Sequence, residues 1–191
     1  MPTRDSLLDV TARLYAEYGW RGTTTRRIAE AAGVNEVTVF RQFGSKESLL
    51  LEAIQHASQQ VPATLPGVPS DLRSELVRWA TAHHRSIAQK RGIILSCLAE
   101  AEERPALAPQ ACEGGRVARE ELTAYLRRAA DRGLITLPRL IDAGAALLMR
   151  SVFMDAMTRD VIPEVHAIDF PTLIDCQVEL LLRGLGAGED A

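Results

Sequence analysis

Residues 23–50 read TTTRRIAEAAGVNEVTVFRQFGSKESLL, and this stretch decides the fold of the N-terminal part of the chain. Apolar residues recur at three- and four-residue spacing on both sides of Gly33, which is typical of two short helices joined by a tight turn. Glycine adopts the positive φ angle that the turn demands, and Ala29 is small where the second helix approaches. The spacing predicts a helix-turn-helix whose second helix covers residues 36–42. The helices are predicted to share a core of Ile28, Ala29, Val34, Val39 and Phe43.

The same region is an island of positive charge in an acidic chain. Five cationic residues between Arg21 and Lys46 face two acidic ones, a net charge of +3, while the whole chain of 191 residues carries −3 and the remainder therefore −6. A charged stripe on a helical bundle can be a solvated face only. Because the stripe coincides with a helix-turn-helix, we expect it to bind nucleic-acid phosphates.

The second helix of such a pair enters a major groove, and here its outward side chains are Glu36, Val37, Thr38, Arg41 and Gln42. The Arg41 guanidinium can donate two parallel hydrogen bonds to guanine, and Gln42 can form a pair of hydrogen bonds with adenine. Val37 or Thr38 can contact a thymine methyl group or a phosphate. Additional phosphate contacts are predicted at or near helix N-termini, where main-chain N–H groups favour anions. These residues are Thr24, Thr25, Arg26, Arg27 and Lys46.

The remainder of the chain also has helical spacing, so the predicted fold class is all-α. The segment VPATLPGVPSD (61–71) contains three prolines and one glycine, which predicts a linker between a DNA-binding domain at 1–60, including a linking helix at 46–60, and a C-terminal domain at 61–191. The first helix is predicted to end at Gly19. Predicted N-caps are Thr3 or Asp5, Thr24 or Thr25, Asn35 and Ser45. Later helices are predicted at 71–90, 92–103, 116–132, 138–159 and 171–185.

Three blocks, TTRRIAEAAGV, TVFRQF and SKESLL, follow one another in residues 24–51. In this order and register they resemble the DNA-binding domain of the TetR family of bacterial transcriptional regulators, over about residues 4–51. The resemblance implies a homodimer that places two recognition helices on a palindromic operator and represses transcription until a small molecule binds the C-terminal domain. Family positions that commonly contact DNA correspond to Thr24, Thr25, Thr38, Phe40, Arg41 and Lys46.

Two residues depart from the family pattern. Phe40 stands where tyrosine is usual, so a hydroxyl-to-phosphate hydrogen bond is missing, and Glu36 replaces a frequent lysine or small residue and would repel a nearby phosphate. These departures keep open an alternative in which the module binds a protein and no longer reads DNA. A helical enzyme is a further alternative, but paired carboxylates, a nucleophile elbow, a phosphate loop and a metal constellation are not found in the sequence.

The helices at 138–159 and 171–185 are apolar over most of their circumference, and one neighbouring helix cannot cover them. The interior of a monomeric bundle is one explanation. A second copy of the chain is the other, and the resemblance favours it because these helices form the dimer interface of the family. The predicted interface residues are Ala143, Gly144, Ala146, Leu147 and Leu181.

A ligand pocket in the C-terminal domain would be apolar with a few polar groups. The candidate lining residues are Trp79, His83, Cys97, Tyr125, Met149 and Phe153, each of which can also be ordinary core. His83 and His84 are adjacent and face different sides of a helix, so neither a metal site nor a cofactor is predicted. The N-terminus has no signal-peptide run and no apolar stretch is long enough to span a bilayer, so we expect a cytoplasmic protein with no membrane partner.

Overall fold

The computed structural model describes residues 3–60 and 62–188, and within these ranges all regular elements are helical. Four helices precede the linker: α1 (Arg4–Gly22), α2 (Thr25–Ala32), α3 (Glu36–Phe43) and α4 (Lys46–Gln59). Four follow it: α5 (Leu72–Glu100), α6 (Leu107–Asp131), α7 (Ile141–Thr158) and α8 (Phe170–Gly184), with 3-10 turns at Pro138–Leu140 and Pro163–Val165. The all-α prediction is confirmed. Among these helices, none has both the length and the apolar content that crossing a bilayer requires.

Side-chain caps start the N-terminal helices at the predicted residues. Thr3, Thr24, Asn35 and Ser45 each accept a hydrogen bond from a main-chain N–H group in the first turn of the helix that follows. Such a cap satisfies one of the donors that a helix N-terminus leaves without an intrahelical partner. The end of α1 differs from the prediction: Gly19 interrupts the helix with a φ angle of +63°, but one further turn continues to Gly22.

The predicted break between helices at 71–90 and 92–103 is wrong, because α5 runs without interruption through Gly92. A Cβ atom at this position would lie 2.9 Å from both the Cβ atom and the carbonyl oxygen of Ala16. The glycine therefore serves the close approach of α1 and α5, and this packing outweighs the helix cost of glycine, about 1 kcal/mol relative to alanine.

Helix α6 begins nine residues before the predicted start at 116 and includes Pro109 and Gly114. Pro109 lies in the first turn, where a main-chain N–H group has no intrahelical partner to lose. A Cβ atom at position 114 would lie 2.8 Å from the carbonyl oxygen of Ser58, so this glycine too marks a close contact between helices. The predicted start at 116 is therefore wrong, because both residues lie inside the helix.

The chain divides into two compact units, one of residues 1–60 with 89–114 and the other of residues 61–88 with 115–191. The first unit contains the shared helix-turn-helix core, where Ile28, Ala29, Val39 and Phe43 are buried and Val34 is half-buried. In the second unit, Trp79 and Tyr125 belong to one large apolar core. Residues 62–71 of the predicted linker are irregular, whereas Val61 lies outside the described residues. The division into a DNA-binding domain at residues 1–60 and a C-terminal domain at residues 61–191 stays a prediction.

Candidate nucleic-acid interface

Main-chain geometry holds α2 and α3 together. Gly33 ends α2 with φ +66° and ψ 35°, and the next N–H group, that of Val34, donates to the Ala29 carbonyl at 3.0 Å. Asn35 then starts α3, with its Oδ1 atom accepting from the Val37 N–H group at 2.9 Å. This left-handed glycine and side-chain cap turn the chain within three residues. The buried side of α3 faces the shared core, so its other side is left to solvent.

The solvent-facing side of α3 presents an apolar residue, a ring and a cation. Val37 is 70% exposed and Phe40 is 46% exposed. Arg41 is exposed and forms no hydrogen bond or ion pair with any described residue. Thr38 is half-buried, as is Gln42, whose Oε1 atom is buried without a hydrogen-bond partner in the described chain. Val37, Phe40 and Arg41 are therefore the most exposed residues of this helix.

The predicted phosphate-binding cations of α2 are engaged within the protein. The Arg26 Nε atom donates to Glu30 Oε1 at 2.9 Å, and this ion pair is largely exposed. The Arg27 guanidinium donates to the Gly22 carbonyl at 2.6 Å and lies over the Tyr18 ring, with 4.2 Å between its central carbon and the ring centroid. An exposed ion pair such as Arg26–Glu30 contributes little to stability, about 0–1 kcal/mol, so a phosphate can compete for the Arg26 guanidinium.

Lys46 is held more firmly than the sequence predicts. Its Nζ atom donates to the Trp20 carbonyl and lies 4.9 Å from the centroid of the Trp20 ring. The Arg104 guanidinium also lies over this ring, at 4.3 Å. Burial lowers the pKa of Lys46, and the charge of Arg104 lowers it further. Trp20 and Arg104 carry no signal of this role in the sequence, because the contacts join residues far apart in the chain.

The two threonines at the start of α2 have different partners. Thr24 Oγ1 accepts from the Arg27 N–H group at 3.2 Å, which leaves its own hydroxyl hydrogen available. Thr25 Oγ1 instead donates to Glu36 Oε1 at 2.5 Å, so its hydrogen is committed to the first residue of α3. The sequence predicts phosphate contacts from both hydroxyls, but only the Thr24 hydroxyl can donate to a phosphate without breaking an intramolecular bond.

The residues predicted to line a ligand pocket do not all lie together. Trp79 and His83 are buried in the second unit, with ring centroids 4.2 Å apart, and Tyr125 is buried in the same apolar core, against which Met149 packs. Phe153 is 37% exposed on α7. Cys97 belongs to the first unit and packs with Tyr15. Burial raises the pKa of the Cys97 thiol to about 11, so the thiol is protonated at neutral pH.

Two carboxylates that the sequence analysis did not single out bind the polar ends of these aromatic residues. Trp79 Nε1 donates to Glu121 Oε2 at 3.0 Å, and the Tyr125 hydroxyl donates to Glu75. Burial by itself raises the pKa of Glu75, but hydrogen bonds from Ser70 and Tyr125 outweigh it and hold the pKa below its ordinary value. Glu75 lies one helical turn before Trp79, a spacing that could have drawn attention to it.

An apolar groove of about 450 Å³ lies between α7 and α8. Leu147 and Leu180, which line it, are 67% and 70% exposed. Its polar lining includes Gln177, whose Nε2 atom donates to Ser151 Oγ at 2.5 Å. Of the predicted interface residues, the groove is lined by Ala143, Gly144, Leu147 and Leu181, and Ala146 is half-buried.

Gly144 lies close to α8. A Cβ atom at this position would lie 2.5 Å from Cδ1 of Leu181, the end of a flexible side chain that would have to move. As a dimer-interface residue, Gly144 stays a prediction.

A solvent-facing second helix, held by a glycine turn and flanked by cations, defines a helix-turn-helix DNA-binding protein. A family profile described as bacterial regulatory proteins of the tetR family matches residues 7–53. An uncharacterized HTH-type transcriptional regulator of Mycobacterium bovis is 32% identical over 142 residues, which cover 74% of this chain and 69% of that protein. The chain belongs to the TetR family of transcriptional regulators.

Other relatives agree over the whole length. The uncharacterized HTH-type regulator YvkB of Bacillus subtilis is 28% identical over 192 residues, covering 97% of this chain and 98% of that protein. Among solved structures, the fatty acid degradation regulator FadR from Bacillus halodurans has a TM-score of 0.71 at 19% identity and covers 98% of both chains. The family and these relatives are transcriptional regulators and not enzymes.

Proposed function

We propose that this protein is a cytoplasmic repressor that binds a palindromic operator as a homodimer and is released by a small molecule. The observation that carries the proposal is the exposed face of α3, where Val37, Phe40 and Arg41 project away from the core. Arg41 is a fork donor without a partner among the described residues, and such a donor suits the two acceptors of guanine in the major groove.

The groove between α7 and α8 supports the dimer. Leu147 and Leu180 are more than half exposed on an apolar surface, which in a soluble protein marks an interaction site. A second copy related by a two-fold axis would place the same groove against its own counterpart. The two copies of the helix-turn-helix then contact half-sites about 34–36 Å apart, which is one turn of duplex DNA. The operator is palindromic because the dimer is symmetric.

Relatives of this chain support repression, and one solved structure supports binding of an effector. KstR2 of Rhodococcus jostii, 46% identical over 52 residues, and AcnR of Corynebacterium efficiens, 33% identical over 63 residues, are named transcriptional repressors. FadR from Bacillus subtilis, which shares the fold with a TM-score of 0.70 at 17% identity, was solved with stearoyl-CoA. By analogy, an apolar effector would enter the second unit near the residues predicted to line a pocket: Trp79, His83, Tyr125, Met149 and Phe153.

In this proposal, the effector changes the relative populations of two conformations of the dimer. It binds better to a form of the dimer whose two α3 helices are wrongly spaced for successive grooves, while the operator binds the other form. Coupling of this kind is reciprocal, so bound operator weakens effector binding by the same factor. Screening lipids and acyl-CoA compounds for release of a labelled operator tests this part, and equal affinity for a hit with and without operator would contradict it.

DNA binding is tested by selecting bound sequences from random duplexes and measuring affinity by fluorescence anisotropy. Arg41→Ala removes the fork donor, so we expect at least a tenfold loss of affinity and relaxed preference at one base pair of each half-site. Arg85→Ala is the matched control, because Arg85 is exposed on the part of α5 that lies in the second unit. Unchanged affinity of the Arg41 variant would contradict the proposed role of α3.

The dimer is tested by light scattering after size-exclusion chromatography. Leu147→Glu and Leu180→Glu each place a charge in the α7–α8 groove, and we expect monomers that bind operator at least tenfold more weakly. Val68→Glu is the control, because Val68 is 63% exposed in the linker and does not line the groove. A wild-type monomer at micromolar concentration would remove the dimer from the proposal.

A further inference from the structure

The hydrogen bond from Thr25 to Glu36 joins the first residues of α2 and α3. Thr25 Oγ1 donates to Glu36 Oε1 at 2.5 Å, and both side chains are half-buried. The bond uses the threonine hydrogen and one of the acceptor sites of the carboxylate. Within the described residues, the second oxygen, Oε2, receives no hydrogen bond. Glu36 therefore keeps acceptor capacity at the start of the solvent-facing helix.

Two sources of positive charge lie near this carboxylate. Glu36 lies in the first turn of α3, where main-chain N–H groups and the helix dipole favour a negative charge. Arg26 lies near the Glu36 carboxylate. The hydrogen bond to Glu30 is the main cause that raises the pKa of Arg26, and the negative charge of Glu36 raises this pKa further. An ionised carboxylate only accepts hydrogen bonds, so its partner in DNA has to be a donor.

The major groove offers two such donors. Adenine presents an amino group beside the N7 acceptor, which repels a carboxylate, whereas cytosine presents an amino group with no acceptor of its own beside it. Phosphates and the acceptors of guanine repel Glu36 altogether. Of the four bases, cytosine is the one whose groove edge suits this side chain.

We propose that Glu36 is a specificity-determining residue that accepts a hydrogen bond from the amino group of a cytosine in each half-site. This inference rests on the proposed function, since it requires α3 to lie in the major groove. Thr25 acts as a positioning residue, because its hydroxyl holds the carboxylate in one orientation before DNA binds. The glutamate thus selects a base at a position where a lysine would bind a phosphate of any sequence.

The test compares base preferences of variants at every position of the operator that the wild-type protein selects from random duplexes. For wild type we expect about a tenfold preference for cytosine at one position of each half-site. Glu36→Ala should reduce that preference below about twofold. Glu36→Gln should turn it toward adenine, because a side-chain amide both accepts from the adenine amino group and donates to N7.

Variants of the second residue separate positioning from folding. Thr25→Val removes the hydroxyl at similar volume, and we expect the cytosine preference to fall while preferences at other positions are kept. Thr25→Ser keeps a hydroxyl and should retain the preference. A structural role alone would instead weaken binding to all sequences alike.

Glu30→Gln is the matched control for charge, because it removes one negative charge from the same module at an exposed side chain on α2. We expect it to tighten binding to all sequences alike. If wild type binds a defined operator and Glu36→Ala keeps every base preference, the inference is overturned while the proposed function stands. If wild type binds no duplex at low salt, the proposed function fails and the inference falls with it.

Discussion

The Lys46 ammonium donates to the main-chain carbonyl of Trp20, at 2.5 Å between Nζ and the oxygen, and lies over the indole ring of the same residue. The family resemblance implies a phosphate contact at this lysine, but the structure gives the side chain an intramolecular partner. A phosphate must therefore displace a hydrogen bond and a cation–π contact, the latter worth about 0.5–1 kcal/mol or more.

We expect Lys46→Gln to leave the salt dependence of operator binding nearly unchanged while lowering the stability of the protein by about 1 kcal/mol, the size of a lost hydrogen bond. Each phosphate contact adds about 0.9 to the slope of log affinity against log salt concentration. The measurement is this slope for the variant and for the wild-type protein. A fall of about 0.9 for the Lys46 variant would show that the ammonium leaves Trp20 and binds a phosphate.

A hydroxyl added at Phe40 is expected to strengthen DNA binding. Phe40 is 46% exposed on α3, and tyrosine is usual there in the family, so Phe40→Tyr should tighten operator binding about tenfold to a hundredfold, the effect of one hydrogen bond to a charged group. Phe43→Tyr is the control, because Phe43 is only 7% exposed and a hydroxyl at that site is buried in the core. We expect this control to lower the melting temperature, and unchanged affinity of the Phe40 variant would argue against a phosphate beside it.

Acid is expected to remove a contribution of Asp155 to stability. Asp155 is 5% exposed on α7 and binds Arg159 and His84, with 2.6 Å from Arg159 Nη2 to Oδ1 and 2.8 Å from His84 Nε2 to Oδ2. Burial by itself raises the pKa of Asp155, but the hydrogen bonds from Arg159 and His84 outweigh it and lower the pKa. A lowered folded pKa stabilises the protein above the unfolded value, about 3.9, and this stabilisation is lost as the pH falls through the folded pKa.

We therefore expect Asp155→Asn to cost about 3 kcal/mol at pH 7, the cost of breaking a buried ion pair, and less as the pH falls below about 4. The measurement is urea unfolding of both proteins from pH 7 to pH 3. Asp142→Asn is the control, because Asp142 pairs with Arg127 at the surface and should cost less than about 1 kcal/mol. A cost for Asp155→Asn that does not change with pH would contradict the expected linkage.

Two glycine substitutions in helices should have opposite signs. Gly92→Ala adds a Cβ atom 2.9 Å from the Ala16 carbonyl oxygen, so we expect a loss of about 1–3 kcal/mol from overpacking, despite the better helix propensity of alanine. Gly115→Ala in α6 meets nothing within 4 Å and should gain about 0.5–1 kcal/mol. Thermal unfolding of both variants measures this difference, and a stabilised Gly92 variant would show that α1 and α5 are not closely packed.

Local sequence signals predict the helix-turn-helix well. The caps Asn35 and Ser45 act on the residues just after them, and Gly33 adopts its left-handed conformation through sterics of its own main chain. Such interactions span a few residues, so a single sequence contains all the information that they need. The helix-turn-helix and its exposed face could be predicted for this reason.

Glycine and proline led to wrong helix boundaries where tertiary contacts determine how far a helix extends. Gly92 and Pro109 look like helix breaks by propensity, yet α5 and α6 run through them. Propensity differences of about 1 kcal/mol for glycine are smaller than the packing that a close helix contact provides. No pattern within α5 shows that Ala16 packs against Gly92.

The sequence by itself determined an all-helical chain with a helix-turn-helix near its start, because helix periodicity, caps and turn glycines are local properties. Only the tertiary structure decided which charged groups remain available: Lys46 is held by Trp20, Glu36 is held by Thr25, and Arg41 is left to solvent. These pairings join residues 11 and 26 positions apart. They depend on how helices pack in space, which the spacing of residues along one helix does not contain.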